Sequence, residues 1–454
     1  MMQSGLVTLR VRPRNPARPT RARLAFTGLL VFSGIAAVLA LCQQPLGTGW
    51  LGFVLVFGPL GVGGLGHIFL TYDGSTPGIH NDGLMTRGAT RRGVSAYLLA
   101  AVLLAFYCLL YWYPAPLAGL IALVDPLSAA LRARPADQWF LYGCVYCVAV
   151  GMMAVRMAYR YRHSRYHLWR TASVTFFQIG FAWLVPALLV RLREPELYFT
   201  YFWPLKYDAL FPSSVEELTK HGNLGLFMIV WGVAAIVVLT PVFTYFFGKR
   251  WYCSWVCGCG GLAETAGDPF RHLSNKSVRA WRIERWTIHI VLVLIVVTTA
   301  LLWMDKATGG QTLGAASRGF SQAYGFVVGA LLAGVVGVGF YPLLGSRVWC
   351  RFFCPLAAVL GLVQRFFSRF RITTNGGQCI SCGNCSTYCE MGIDVRAYAE
   401  RGENIVRSSC VGCGVCASVC PRGVLRLENG ATHADRYEGS DKPLRALGRS
   451  LRRW

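Results

Sequence analysis

Two cysteine runs near the C-terminal end carry the clearest chemistry in this 454-residue chain. Residues 379–389 read CISCGNCSTYC and residues 410–421 read CVGCGVCASVCP, so each run has the spacing C-x₂-C-x₂-C-x₃-C. Three thiolates at such short intervals wrap a tight loop around one face of an iron–sulfur cubane. Gly383, Gly412 and Gly414 lie between them, where the lack of a side chain lets backbone N–H groups approach the sulfurs and tune the potential. The fourth cysteine, at the start of the next helical turn, points toward a neighbouring cubane. Zinc ribbons use paired C-x₂-C units, not four cysteines twice over. Disulfides are not expected in a cytoplasmic tail.

The spacing is that of the two-cluster bacterial ferredoxins, in which the fourth cysteine of each run ligates the other cluster. It predicts two [4Fe–4S] clusters, one on Cys379, Cys382, Cys385 and Cys420, the other on Cys410, Cys413, Cys416 and Cys389. Two clusters this close form a wire that passes electrons one at a time. One position departs from the pattern. Cys389 is followed by Glu390 where the pattern has proline, which loosens the turn but removes no ligand.

A second set of thiols lies upstream. Residues 251–259 read WYCSWVCGC and residues 349–355 read WCRFFCP, each placing a C-x₃-C pair after an apolar stretch. On a helix, i,i+4 spacing puts Cys253 with Cys257, and Cys350 with Cys354, on one face. The flanking aromatics suit a membrane interface. Three uses stand open: a third iron–sulfur cluster on Cys253, Cys257, Cys350 and Cys354, with Cys259 as an alternate ligand; a redox dithiol or copper site; or structural residues at crowded helix ends.

These groups need elements to hold them at a membrane edge. The chain is 54% hydrophobic, its mean hydropathy is +0.43, and apolar runs long enough to cross hydrocarbon recur. They predict about eight helices, near 25–42, 50–72, 94–113, 138–157, 171–190, 223–247, 287–304 and 321–345. The expected fold is an α-helical integral membrane protein with a C-terminal cytoplasmic 2×[4Fe–4S] bacterial-ferredoxin-like α+β domain. Its expected parts are a basic cytoplasmic N-terminus (1–24), the membrane domain (25–345), a membrane-edge linker with C-x₃-C-P (346–375), the dicluster ferredoxin domain (376–430) and a basic C-terminal tail (431–454).

The net charge is +24. Lys and Arg collect in the loops after the even-numbered spans, whereas the 191–222 loop is nearly balanced, so the positive-inside rule places both termini in the cytoplasm. No convincing cleavage site accompanies the first apolar stretch, which reads as an uncleaved span. Basic charge placed this way, with no zinc finger and no RNA-binding signature, speaks against nucleic acid.

Other polar residues are candidates for a quinone or proton site. Arg156 with Arg160, and His163 with His167, stand at i,i+4 steps beyond the fourth span; the plainer reading is a solvated basic loop, the sharper one a quinone headgroup site. His80 with Asp82 offers a proton path at a quinol site. Cys42, Cys108, Cys144 and Cys147 fall at similar depth and read as small apolar residues in preference to an outer metal site. No bis-histidine pair across two span centres predicts haem.

The two C-x₃-C motifs followed by a double ferredoxin run resemble the membrane polyferredoxins of the NapH/NosR type, over roughly residues 225–425. The four motifs occur in the same order. Gly258 replaces the proline after the first pair, and Cys259 is extra. The stretch GKRWYCSWVC from Gly248, with the eight spans, is also similar to FesM-type membrane iron–sulfur proteins. The resemblance implies a redox subunit, quinol-dehydrogenase-like or purely electron-transferring, in a bacterial cytoplasmic (inner) membrane. It would relay electrons between the clusters and a quinone pool or a partner redox protein (a reductase, cytochrome or ferredoxin) in a respiratory or photosynthetic chain. The motifs also fit a different class, a maturation factor using the C-x₃-C thiols to reduce or load copper or another metal. The sequence has no dinucleotide fingerprint after a strand, no nucleotide loop and no hydrolytic constellation.

Overall fold

A computed structural model describes residues 21–43, 49–72, 92–311 and 314–429. Nine helices among the described residues are long and apolar enough to cross a membrane: α1 (Arg21–Leu41), α2 (Trp50–Thr71), α3 (Val94–Trp112), α4 (Ala115–Arg132), α5 (Gln138–Arg160), α6 (Arg165–Arg191), α7 (Gly222–Phe247), α8 (Val278–Ala307) and α9 (Ala316–Gly339). Their outward faces carry exposed apolar side chains, such as Val31 and Ile35 on α1, Val102 on α3 and Val293 on α8. In water such a surface would drive association; in lipid it needs no cover.

The count differs from the eight expected from hydropathy. The added helix is α4, whose apolar run is diluted by Asp125 and Pro126. It starts and finishes at one end of the bundle. Tyr111 at the end of α3 and Trp139 at the start of α5 have ring centroids 5.3 Å apart. Arg132, the last residue of α4, pairs with Asp137 at 3.4 Å, the residue that caps α5. The other eight helices run alternately between the two ends. At the opposite end, Arg92 before α3 donates to the carbonyls of Leu343 and Leu273, and Arg23 near the start of α1 donates to that of Leu70. Wider π-helical turns interrupt α6 at Phe177–Leu184, α7 at Ala235–Leu239 and α9 at Gly325–Val336.

The cysteine-rich part packs on that second end. Strand β1 (Phe370–Thr374) pairs antiparallel with β2 (Leu425–Asn429), from Phe370 opposite Asn429 to Thr374 opposite Leu425. The stretch 346–375 is folded throughout: a short helix Val348–Phe352, a helix Pro355–Phe367 buried mainly over its first half, then β1 itself. Tyr166 of α6 donates to the Gly412 carbonyl at 2.6 Å, and Ser254 to that of Val411 at 2.9 Å. The side-chain amide of Gln364 donates to the carbonyls of Arg407 and Cys410. One continuous core runs from Phe202, Ile295 and Val328 to Ile393, Cys410 and Leu425. The ferredoxin-like part is therefore seated on the bundle, not tethered to it.

Candidate metal centres

The two cysteine runs fold as a matched pair. In each, a glycine in the left-handed region (Gly383, φ 76°; Gly414, φ 78°) leads into a four-residue helix, Asn384–Thr387 or Val415–Ser418, that carries the third cysteine. The fourth cysteine lies beyond that helix, on the far side of the turn. Cys379, Cys382, Cys385 and Cys420 line one cleft. Burial first, then the neighbouring thiols of Cys413, Cys410, Cys389 and Cys385, push the Cys416 thiol up. The fourth cysteine of each run thus lies beside the cysteines of the other run. Backbone amides aim at the two exchanged sulfurs: Val424 N–H at Cys420 Sγ (3.3 Å) and Ile393 N–H at Cys389 Sγ (3.4 Å).

The upstream thiols also converge, though not on one helix face. Each pair is split by a break between two helices. Cys253 ends the short helix Arg250–Cys253, and Cys257 is the N-cap of Gly258–Glu264. Cys350 sits in Val348–Phe352, and Cys354 is the N-cap of Pro355–Phe367, accepting from Ala357 N–H at 3.4 Å. The i,i+4 expectation is corrected here: the residue after each second cysteine begins a new helix. All four are buried, each 6% exposed, in one cluster. Burial, then the thiols of Cys350, Cys253 and Cys257, push Cys354 up. Cys259 is the donor to Cys257, a hydrogen bond that brings the Cys257 thiol down to about 7. The loop allows this only with glycine at 260, where a Cβ would lie 1.9 Å from the Cys253 carbonyl oxygen.

Among the described residues, no three cysteine sulfurs come within 4.8 Å of one another. A single tetrahedral metal with 2.3 Å metal–sulfur bonds would hold them about 3.8 Å apart. The described thiols therefore do not close on one tetrahedral ion.

Between the two thiol regions lies a buried ion network that the sequence reading missed. Asp268 takes Arg156 (2.6 Å), Arg160 (2.7 Å) and Arg271 (2.7 Å). Glu264 takes Arg170 (2.8 Å), Arg271 (2.6 Å) and Arg347 (2.7 Å). Glu390 lies between Arg271 (3.0 Å) and Arg347 (3.1 Å). Burial raises the Asp268 carboxyl, but Arg160, Arg156 and Arg271 outweigh it and hold it well below the usual range. The same contest leaves Glu264 at about 2. Five guanidinium groups face three carboxylates, and uncompensated charge in a dry interior is costly. Thiolate-bound clusters carry the opposite sign. Arg271 Nη1 donates to Cys413 Sγ at 3.7 Å, and Arg347 Nη1 to Cys350 Sγ at 3.8 Å. The available sequence signal was the pair of acids, Glu264 and Asp268, in an otherwise basic loop.

This corrects the reading of Arg156, Arg160 and His167 as a solvated loop. Arg156 and Arg160 are buried on Asp268, and His167 is buried, with Nδ1 2.8 Å from Ser164 Oγ and its ring stacked on Tyr161. His163 is exposed. His80 and Asp82 lie outside the described residues. Cys42 is exposed and Cys144 buried, and no metal-binding group among the described residues includes Cys42, Cys108, Cys144 or Cys147.

Helical bundle and thiol constellations together define a multi-pass membrane protein with iron–sulfur binding domains. Residues 229–277 and 327–373 match a 4Fe-4S binding domain, and residues 378–425 a 4Fe-4S dicluster domain. The chain is similar to the methylamine utilization ferredoxin-type protein MauN of Methylobacillus flagellatus, with 28% identity over 34% of this chain and 52% of that protein. It is similar to the ferredoxin-type protein NapH of Escherichia coli, with 26% identity over 41% of this chain and 62% of NapH. It is also similar to protein NirI of Paracoccus denitrificans, with 26% identity over 37% of this chain and 24% of NirI. The chain thus spans from about a quarter to under two thirds of these relatives' lengths. No solved structure matches it.

Proposed function

We propose that this protein relays electrons between two [4Fe–4S] clusters, held by Cys379, Cys382, Cys385 and Cys420 and by Cys410, Cys413, Cys416 and Cys389, and a quinone pool or partner redox protein. The membrane-edge thiols hold a third iron–sulfur centre on the same path. Both ends of the chain are cytoplasmic in this reading, in a bacterial inner membrane. The observation that carries it is the continuity between the sites: one buried ion network touches Cys413 on one side and Cys350 on the other. A maturation factor has less use for such a fixed connection. The experiment is anaerobic iron and sulfide quantification with an EPR-monitored redox titration, repeated on Cys253→Ser/Cys350→Ser. Ten to twelve irons falling to about eight in the variant, with loss of one signal, is the expected result. Eight in both removes the edge centre, and fewer than about eight in the reconstituted protein sinks the two-cluster reading.

A further inference from the structure

Helix α8 is longer than a membrane requires. It runs for 30 residues, about 45 Å at 1.5 Å per residue, whereas about 20 residues cross the hydrocarbon. Exposed Trp286 and Trp303 bracket its apolar stretch, about 26 Å apart at that rise, as aromatics do at the two surfaces of a membrane. The turns before Trp286 therefore stand in the headgroup layer, at the ferredoxin end. They carry Arg279, Arg282 and Arg285, all exposed.

Two cations from different parts of the chain meet there. The Arg285 guanidinium lies 5.3 Å from the centre of the Trp281 ring, and that of Arg407 lies 4.8 Å from it. Arg285 belongs to the bundle. Arg407 belongs to the cysteine-rich part, where Gln364 Nε2 holds its carbonyl at 2.7 Å. The face of an indole attracts each cation but neutralises neither. Among the described residues no ion pair joins Arg285 or Arg407 to a carboxylate. The neighbouring acid, Glu284, is buried and held by Arg351 at 2.8 Å. At the opposite end of α8 the balance differs, for Lys306 pairs with Glu216.

The flank below these cations is apolar and open. Val293 and Val296 follow Arg285 on the same face of α8, and both are exposed. Helix Pro355–Phe367 lies alongside: its Ala358 and Gly361 share one opening with Arg285 and His289, and its Leu362 is 40% exposed. Free phosphate would answer the guanidinium groups and leave this flank unused. A neutral lipid would do the reverse. A molecule with an anionic end and an apolar body answers both. We propose that Arg285 and Arg407, gathered on Trp281, bind the headgroup phosphate of an anionic phospholipid whose acyl chains lie along Val293 and Val296. The lipid thereby clasps the cysteine-rich part to the bundle, since each part supplies one guanidinium. Nothing in this assignment depends on the electron-carrier reading.

The test is native mass spectrometry of the purified full chain in detergent. It is titrated with phosphatidylglycerol, with phosphatidylcholine of the same acyl chains, and with inorganic phosphate. Phosphatidylglycerol is expected to bind in preference to phosphatidylcholine and to resist displacement by equimolar phosphate. Arg285→Gln and Arg407→Gln are each expected to lower its affinity about fivefold. Arg285→Lys keeps the charge and most of the binding. Arg279→Gln removes the same charge from another face of α8 and is expected to change nothing. The two sites of substitution lie on separate elements, so a variant that fails to fold, judged by thermal unfolding, leaves the other to decide. Equal binding of phosphatidylcholine, displacement by phosphate, an equal loss in Arg279→Gln, or unchanged affinity in a folded Arg285→Gln or Arg407→Gln protein overturns the assignment.

Discussion

Glu390 Oε1 lies 3.1 Å from Arg347 Nη2, and both side chains are wholly buried. One belongs to the cysteine-rich part and the other to the helix end carrying Cys350. The position directly after Cys389, where the sequence pattern has proline, is therefore used to fasten two sites together. Glu390→Gln retains the shape and removes the charge facing Arg271 and Arg347. It is expected to lower stability by about 1–3 kcal/mol and to speed release of the ferredoxin-like part by trypsin. Glu390→Pro restores the pattern but is expected to behave worse, since it deletes the side chain. Proteolysis and thermal unfolding of both variants check this; wild-type resistance in Glu390→Gln would show that the pairs hold nothing.

Asp268 gives a pH dependence. Its carboxyl is held below its unfolded value, so the folded state binds fewer protons. The stability it contributes is present above the unfolded value near 4 and is lost as pH falls through the depressed folded value. The advantage of wild type over Asp268→Asn is expected to be largest at pH 6–8 and to shrink steadily below about pH 4. Thermal unfolding in detergent across that range measures it, and an advantage independent of pH would assign the loss to packing alone.

Arg271 donates to Cys413 Sγ and pairs with all three network carboxylates. A cationic donor at a sulfur ligand favours the reduced cluster. In Arg271→Gln the potential of one ferredoxin-type signal is expected to fall by roughly 60 mV, a tenfold shift in the reduced-to-oxidised ratio for one electron. Arg271→Lys, which keeps the charge, recovers most of it. EPR-monitored titration distinguishes this from simple cluster loss, which removes signal without moving its midpoint.

Gly260→Ala places a methyl group against the Cys253 carbonyl. The loop must shift, so the edge thiols are disturbed while the two downstream runs are untouched. Iron content is expected to fall by the share of one cluster with both ferredoxin-type signals retained. Equal loss from all centres would mean that the loop supports the whole fold.

What the sequence made legible was local. The two C-x₂-C-x₂-C-x₃-C runs announce their use because all but the exchanged ligand lie within a few residues. The apolar spans do so because hydrocarbon demands length. The rest depended on contacts between distant positions. Arg156 and Asp268 are 112 residues apart, and nothing in either neighbourhood distinguishes a buried pair from a solvated basic loop. Helix α4 escaped because Asp125 and Pro126 interrupt its apolar run, and both are tolerated where Asp125 Oδ1 accepts from the Ala136 N–H at 2.7 Å. The helical reading of the C-x₃-C pairs failed because spacing alone does not reveal that one helix ends and another begins between the two cysteines.

The two cysteine loops differ in their access to water. Cys382 is exposed and its neighbour Ile380 is 49% exposed, while Cys410 and Cys416 are 7% and 6% exposed. Among the described residues the first loop is thus the more open of the two, and Arg396 and Arg422 border its cleft. The second loop faces inward. On the electron-carrier reading proposed above, the first loop is where an aqueous partner would exchange electrons, beside Arg422 and beside Arg396 with its partner Glu400. On that reading, exchange with a soluble acidic partner is expected to slow as salt is added, while transfer deeper in the protein is not.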